Sequence, residues 1–375
     1  MNHRIRGWCP DAWRPMAAGD GLLVRIKPRL GRMGPDQVRG LCDASARFGN
    51  GLIDLTNRAN LQIRGVIDDK WHVVVDALIA LDLVDPAADL ETRRNILVAP
   101  DWQAADHNAR LAEALASRLS ALPTLPSKVG FAIDAGNAPM LTDAPADFRI
   151  ERSGDGTLLL RADGRAGGTP VAPDTAVDAL IALAHWFVET GGSETGRVAR
   201  HAAPLPAWAR ADLRPATPRA PPLPGPHPLG HVWGVPFGSM EASALRDLAE
   251  RSGASALRLT PWRRLLLEEA RPVRVEGFVD APGHPAMRAA ACPGAPACPQ
   301  ATVETRALSL RLASLVTGRL HLSGCAKGCA HPGMADVTVT GRGGRFDLAF
   351  AARPADPPTR SGLTATELLA AFGAA

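Results

Sequence analysis

The chain has 375 residues, enough for two or three domains. Hydrophobic residues make up 46% and charged residues 21%, which excludes a disordered chain and supplies sizeable cores. The net charge of +4 comes from scattered basic residues, which excludes a dense nucleic-acid face, so any anion site must be built locally.

Met1 to Cys9 carries basic residues without an apolar run behind them and predicts no signal peptide. Leu22, Val24 and Ile26 alternate with Leu23, Arg25 and Lys27, the pattern of a strand. Pro35 and Asp36 then open a helix, with Val38, Leu41, Cys42, Ser45 and Phe48 at helical spacing and Gly49 at its end. Gly51 to Leu55 returns as a strand, and the chain is expected to continue extended from Asn57 to Val66. The apolar stretch Trp71 to Val84 is broken by Asp76 and Asp82 and falls short of the roughly 20 residues a membrane span needs. A cytoplasmic protein is expected, in which disulfides are rare. Nine prolines between His201 and Pro228 predict an extended connector that divides the chain. Beyond it, a strand from His231 to Pro236 and a helix from Met240 to Arg251 precede Ala256–Thr260, which echoes Leu52–Thr56. This order predicts an internal duplication.

Four of the six cysteines fall within 38 residues near the C-terminus. Cys292 and Cys298 are separated by the five residues Pro-Gly-Ala-Pro-Ala, and Cys325 and Cys329 enclose Ala-Lys-Gly. Structural zinc sites space paired cysteines by two to four residues, so the first pair suits zinc poorly. Four thiolates on such loops suit a [4Fe–4S] cluster, with zinc and unliganded core cysteines as the alternatives. Cys42, on the apolar face of its helix, is expected in the core.

These cysteine pairs, within Cys292-Pro293-Gly294 and Ser323-Gly324-Cys325, resemble the cluster motif of the sulfite and nitrite reductase superfamily. So does the run Leu55-Thr56-Asn57-Arg58-Ala59-Asn60-Leu61-Gln62-Ile63-Arg64-Gly65. The resemblance covers most of the chain. It implies an α+β fold in duplicate, with ferredoxin-like half-domains and mixed α/β domains, one carrying a [4Fe–4S] cluster on Cys292, Cys298, Cys325 and Cys329. The corresponding divisions are a first half-domain (1–75), a first α+β domain (76–200), the Pro-rich linker (201–228), a second half-domain (229–275) and a cluster-binding α+β domain (276–375). In that superfamily the cysteine matching Cys329 bridges the cluster to the iron of sirohaem.

If Thr56 to Arg64 is extended, Thr56, Arg58, Asn60, Gln62 and Arg64 share one face, opposite Leu55, Ala59, Leu61 and Ile63. Arginine forks match carboxylates bidentately, so such a face suits a polycarboxylate ligand such as a modified tetrapyrrole. The second copy, Thr260, Trp262, Arg264 and Leu266, has lost most of that polarity and reads as structural. Arg25, Arg94 beside Asn95, and Lys128 match basic positions of the reductases' anion pocket, but Gly130 stands where those enzymes carry a further lysine.

That departure, the chain length and the runs Arg6-Gly7-Trp8-Cys9-Pro10 and Gly19-Asp20-Gly21 most resemble the precorrin-3B synthase branch of the superfamily, in aerobic cobalamin biosynthesis. The resemblance implies an O₂-dependent monooxygenase acting on precorrin-3A, with hydroxylation at C20 and γ-lactone formation. It also implies a mononuclear non-haem iron beside the cluster, for which His321 and His331 are the nearest imidazoles. No G-x-G-x-x-G motif opens a helix, so electrons from NADH are expected through a separate reductase or ferredoxin. No nucleic-acid or membrane partner is expected. The alternatives are a sirohaem-dependent sulfite or nitrite reductase and a cluster-carrying electron-transfer protein.

Overall fold

The computed structural model describes residues 9–374, so Arg6, Gly7 and Trp8 of the N-terminal run lie outside the described residues. The first half opens with β1 (Met16–Ala18), β2 (Gly21–Ile26), β3 (Arg32–Met33), α1 (Pro35–Phe48), β4 (Leu52–Leu55) and β5 (Leu61–Val66). Pro35 takes the first position of α1, and the Gln37 side chain accepts from Gly34 N–H, relieving one of the donors that a helix start leaves unpaired. Val38, Leu41 and Cys42 are buried along one stripe of that helix. It is followed by α2 (Trp71–Ala80), α3 (Ala88–Arg93), β6 (Ile96–Val98), α4 (His107–Ala116), β7 (Phe131–Asp134), β8 (Phe148–Arg152), β9 (Leu158–Ala162), β10 (Thr169–Pro170), α5 (Ala176–Glu189) and α6 (Gly192–Thr195).

The second half repeats the plan. It begins with β11 (Gly225–His227), β12 (Gly230–Gly234), β13 (Ser239–Glu241), α7 (Ala242–Ser252), β14 (Ala256–Leu259) and β15 (Arg264–Glu268). It continues through α8 (Pro285–Arg288), β16 (Ala289–Ala291), α9 (Arg306–Ala313), β17 (Leu320–Ser323), β18 (Ala335–Arg342), β19 (Arg345–Ala352), β20 (Arg360–Leu363) and α10 (Ala365–Ala370).

The four sheets make the duplication explicit. One sheet runs β1-β2-β5-β4-β13 and another β11-β12-β15-β14-β3, the same order with the short strand exchanged. Each half therefore completes the other's sheet: Met240 pairs with Ile53 and Leu257 with Met33. Both methionines are buried in a single apolar core that the two half-domains share. Arg32 grips Glu268 with a two-pronged ion pair of 2.7 and 2.9 Å, fastening β3 to its adopted sheet. The other two sheets, β10-β9-β8-β7-β6 and β16-β17-β18-β19-β20, also match, with three parallel strands followed by two antiparallel ones. The repeat thus extends to the second domain of each half.

Three expectations are corrected. Asn57–Val66 is not continuous: Thr56–Asn60 is a tight turn, in which Thr56 N–H donates to Asn60 O and Ala59 takes φ +50°, and the strand begins at Leu61. Met240 lies on the exchanged strand, and the helix starts at Ala242. The Pro-rich connector is pinned along the third sheet by bridges from Leu213 and Pro215, and it ends as strand β11. Among the described residues, no helix is long and apolar enough to cross a membrane.

Candidate active site

The cysteines occupy the carboxyl ends of adjacent parallel strands, where loops of such sheets converge. Cys292 is the first residue after β16, and Cys325 follows β17 by two residues. At the equivalent place in the first half, the residue after β6 is Ala99, so only one copy of the duplicated sheet carries the thiols. Gly324 N–H donates to the Cys292 sulfur at 3.2 Å, the kind of backbone donation that stabilises a thiolate ligand. A side chain on Gly324 would strike Ala301 at 2.5 Å, so glycine is what lets the two loops close on each other. Burial pushes the Cys329 thiol above its ordinary range; Lys327 opposes this, and the charges of Cys292, Cys325 and Cys298 add to it. Among the described residues, no three His, Cys, Asp or Glu side chains are gathered as ligands of a single metal ion. Four thiols on facing loops with a backbone donor to sulfur fit a cluster better than a lone cation.

A cavity of about 380 Å³ adjoins this end of the sheet. Thr56, Asn57, Gln62 and Arg64 of the first half form one wall, Pro261, Arg263 and Arg306 another, and Cys292 and Cys329 the third. The structure therefore brings Thr56, Gln62 and Arg64 to the cysteines. It does not place all five polar residues of that run on one face, because the Thr56–Asn60 turn diverts Arg58. The Arg58 side chain leaves the cavity wall and donates to Lys128 O at 3.0 Å. Asn60, like Arg58, donates its N–H to Thr56 Oγ1 and serves the turn.

Most of the remaining basic residues already have partners. Arg64 donates to both carboxylate oxygens of Asp20 and to Asp54, each at 2.9–3.0 Å, and is 3% exposed. Arg25 forks onto Gln62 Oε1 at 3.1 and 2.6 Å, orienting that amide beside the cavity. Arg94 pairs with buried Glu91 at 2.5 Å, and Lys27 lies 3.8 Å from the same carboxylate. Burial pulls the Lys27 ammonium down to about 8 and pushes the Glu91 carboxyl up, so the group is held by mutual attraction against desolvation. The Asn95 amide donates to Thr92 O, Ser127 O and Val129 O, fixing the loop that carries Lys128.

Gly130 completes this corner. A Cβ there would lie 3.1 Å from Asn95 O and 3.2 Å from Arg58 Nη1. The space a longer side chain would need is filled by the Arg58 guanidinium.

Residue patterns missed three participants. Asp20 and Asp54 neutralise Arg64, and Gly19-Asp20-Gly21 was the only trace of the first. Arg263 comes from the copy read as structural, and it borders the cavity. It takes φ +57° at the turn position equivalent to Ala59, and from there it reaches Ala289 O and Met287 O at 2.6 and 2.8 Å.

Residues 14–81 match the family model of the nitrite/sulfite reductase ferredoxin-like half domain. The chain is 32% identical to a precorrin-3B synthase of Sinorhizobium sp. across 92% of its own length and 82% of the relative's. The chain belongs to the precorrin-3B synthase family of the nitrite and sulfite reductase superfamily. More distant likeness runs to the ferredoxin–nitrite reductase of Synechococcus elongatus, 24% identical over 92% of this chain and 80% of that one. The solved structure of the Mycobacterium tuberculosis NirA protein shares the fold, with a TM-score of 0.56 at 17% identity over 93% of this chain and 79% of that one.

Proposed function

We propose that the chain is a cytoplasmic, oxygen-dependent precorrin-3B synthase that hydroxylates precorrin-3A at C20 and closes a ring-A acetate to a γ-lactone in cobalamin biosynthesis. The observation that carries this reading is the cavity in which Gln62, Arg64 and Arg263 face Cys292 and Cys329. The stronger likeness to a precorrin-3B synthase than to a nitrite reductase supports it. So does Gly130 itself, which supplies no side-chain cation at the position where the reductases carry a further lysine.

In this reading Cys292, Cys298, Cys325 and Cys329 hold a [4Fe–4S] cluster, and a mononuclear non-haem iron completes the metal complement. When bound, these groups supply one-electron transfer and oxygen chemistry respectively. Electrons originate in NADH and arrive through a separate reductase or ferredoxin. The chain's own contribution is binding and orientation. Gln62 is aimed by Arg25, and Thr56 and Asn57 border the same space. Arg64 already carries two carboxylates, so its role is to hold β5 to Asp20 and Asp54 while shaping the wall. Arg58 and Lys128 then offer cations at the far corner for substrate acid groups.

The test is turnover of precorrin-3A under oxygen by anaerobically purified protein, beside sulfite and nitrite reduction with an artificial donor. Precorrin-3A consumption with negligible sulfite or nitrite reduction is expected. Efficient reduction of either anion without precorrin turnover would replace the proposal with a sirohaem-dependent reductase.

A further inference from the structure

A second cavity, of about 770 Å³, lies on the other side of the Arg263 wall. Arg263, Ala290 and Ala330 border both spaces, and the two alanines leave little between them. The second cavity is strongly basic: Arg263, Arg288, Arg319 and His331 line it, with Asp336 as its one carboxylate. Asp336 is engaged by the N–H of Arg319 at 2.6 Å. Among the described residues none of the three guanidiniums has a carboxylate partner. Arg263 and Arg288 bond backbone carbonyls, and Arg319 Nη1 stands 3.2 Å from His331 Nε2. Burial, and then the charges of Arg264 and Arg319, hold the Arg263 guanidinium below its ordinary value, as expected of a cation awaiting a counter-charge. Beneath His331 lies fully buried His321, its ring 5.8 Å away and both its nitrogens without a partner.

The duplication shows where these arginines stand. Arg288 precedes β16 as Asn95 precedes β6, and Arg319 precedes β17 as Gly130 precedes β7. The turn bearing Arg263 is the counterpart of the turn bearing Arg58. The second half thus sets two arginines at the entry ends of its parallel strands, where the first half has the uncharged Asn95 and Gly130.

We propose that this cavity is a second carboxylate-binding chamber, which holds acidic side chains of the tetrapyrrole whose ring occupies the cavity beside the cysteines. The inference rests on the tetrapyrrole reading above and deepens it. The inner space is at the small end of ligand pockets, roughly 300–1,000 Å³, so a macrocycle rimmed with acid groups needs room beyond it. Three unpaired guanidiniums recognise carboxylates by charge and fork geometry. Arg263, reaching both spaces, positions the ring between them.

The experiment uses Arg288→Ala, Arg319→Ala and the double variant of the full chain, since both side chains are exposed and neither holds an ion pair. The probes are uroporphyrin, an octacarboxylate, and coproporphyrin, a tetracarboxylate, titrated by fluorescence. Each single change should weaken uroporphyrin binding roughly tenfold and coproporphyrin binding distinctly less. Arg288→Lys and Arg319→Lys should recover part of the loss. Unchanged uroporphyrin affinity in the double variant would overturn the chamber, as would equal losses for both porphyrins, which would mark only a general field effect. A loss confined to binding of an acidic ferredoxin would overturn it in favour of a protein-docking face. If the unaltered protein binds neither porphyrin, the tetrapyrrole reading itself fails and the chamber with it.

Discussion

Arg64 and Arg58 are held in different ways although only five residues separate them: Arg64 by two carboxylates, Arg58 by a backbone carbonyl. Arg64 is enclosed with Asp20 and Asp54, and breaking a buried pair costs about 3–5 kcal/mol because the charge left behind has no partner. Arg64→Ala should therefore lower stability by about that much, read by chemical denaturation. Undiminished stability with lost substrate binding would show instead that Arg64 is held free for ligand. Arg58, without a carboxylate partner, should behave in the opposite way. Arg58→Ala is expected to weaken precorrin-3A binding on the order of tenfold to a hundredfold with a smaller stability cost, and unaltered binding would remove it from the site. A different residue carries a pH signature. Asp134 is buried, accepts from Met140 and Leu141 N–H through one oxygen and leaves the other unpaired, and burial raises its carboxyl from 3.8 to about 6. The folded protein keeps this proton to higher pH than the unfolded chain does. Its contribution to stability is therefore greatest at low pH and is lost as pH rises from about 4 through 6. The whole excursion is worth roughly 3 kcal/mol. Asp134→Asn should flatten that slope; melting temperatures whose difference from the parent protein is constant between pH 4 and 7 would contradict the assignment.

The exchanged strands govern the next scale. Because β3 and β13 each complete the opposite sheet, neither half can close its own edge. Residues 1–220 expressed alone should aggregate, and co-expression with 221–375 should restore a soluble complex that melts in one transition. Two independently soluble halves would show the exchange to be dispensable. The exchange left no mark in the sequence: Arg32–Met33 is too short for periodicity, and the choice of partner is made by tertiary packing. The Thr56–Asn60 turn was hidden for a related reason. It contains neither glycine nor proline, and Ala59 accepts a left-handed conformation that residue type does not announce. What was legible had strong local causes: the α1 stripe behind Pro35, the alternation in β2, and the repeated Leu-Thr before each turn. In the site, the cysteine spacing and the Gln62–Arg64 run singled out Cys292, Cys329, Gln62 and Arg64, which border the cavity. The wall of Arg263 and Arg306 is brought in only by the fold.

At the scale of the whole molecule, duplication provides two copies of each sheet, and one copy of the second carries cysteines where the other has Ala99 and its neighbours. The shared core of the half-domains holds the first-half turn against the second-half loops, so the cavity exists only between copies. In the proposed function the loops after β16 and β17 together hold one iron–sulfur cluster at that cavity. Iron and acid-labile sulfide should be counted in anaerobically purified protein and in Cys292→Ser, Cys298→Ser, Cys325→Ser and Cys329→Ser, with the visible spectrum recorded on the same samples. Equal iron and sulfide at cluster stoichiometry, broad thiolate-to-iron absorbance without a sharp Soret band, and loss of both in every variant are expected. Full iron and sulfide retained in all four variants would contradict it.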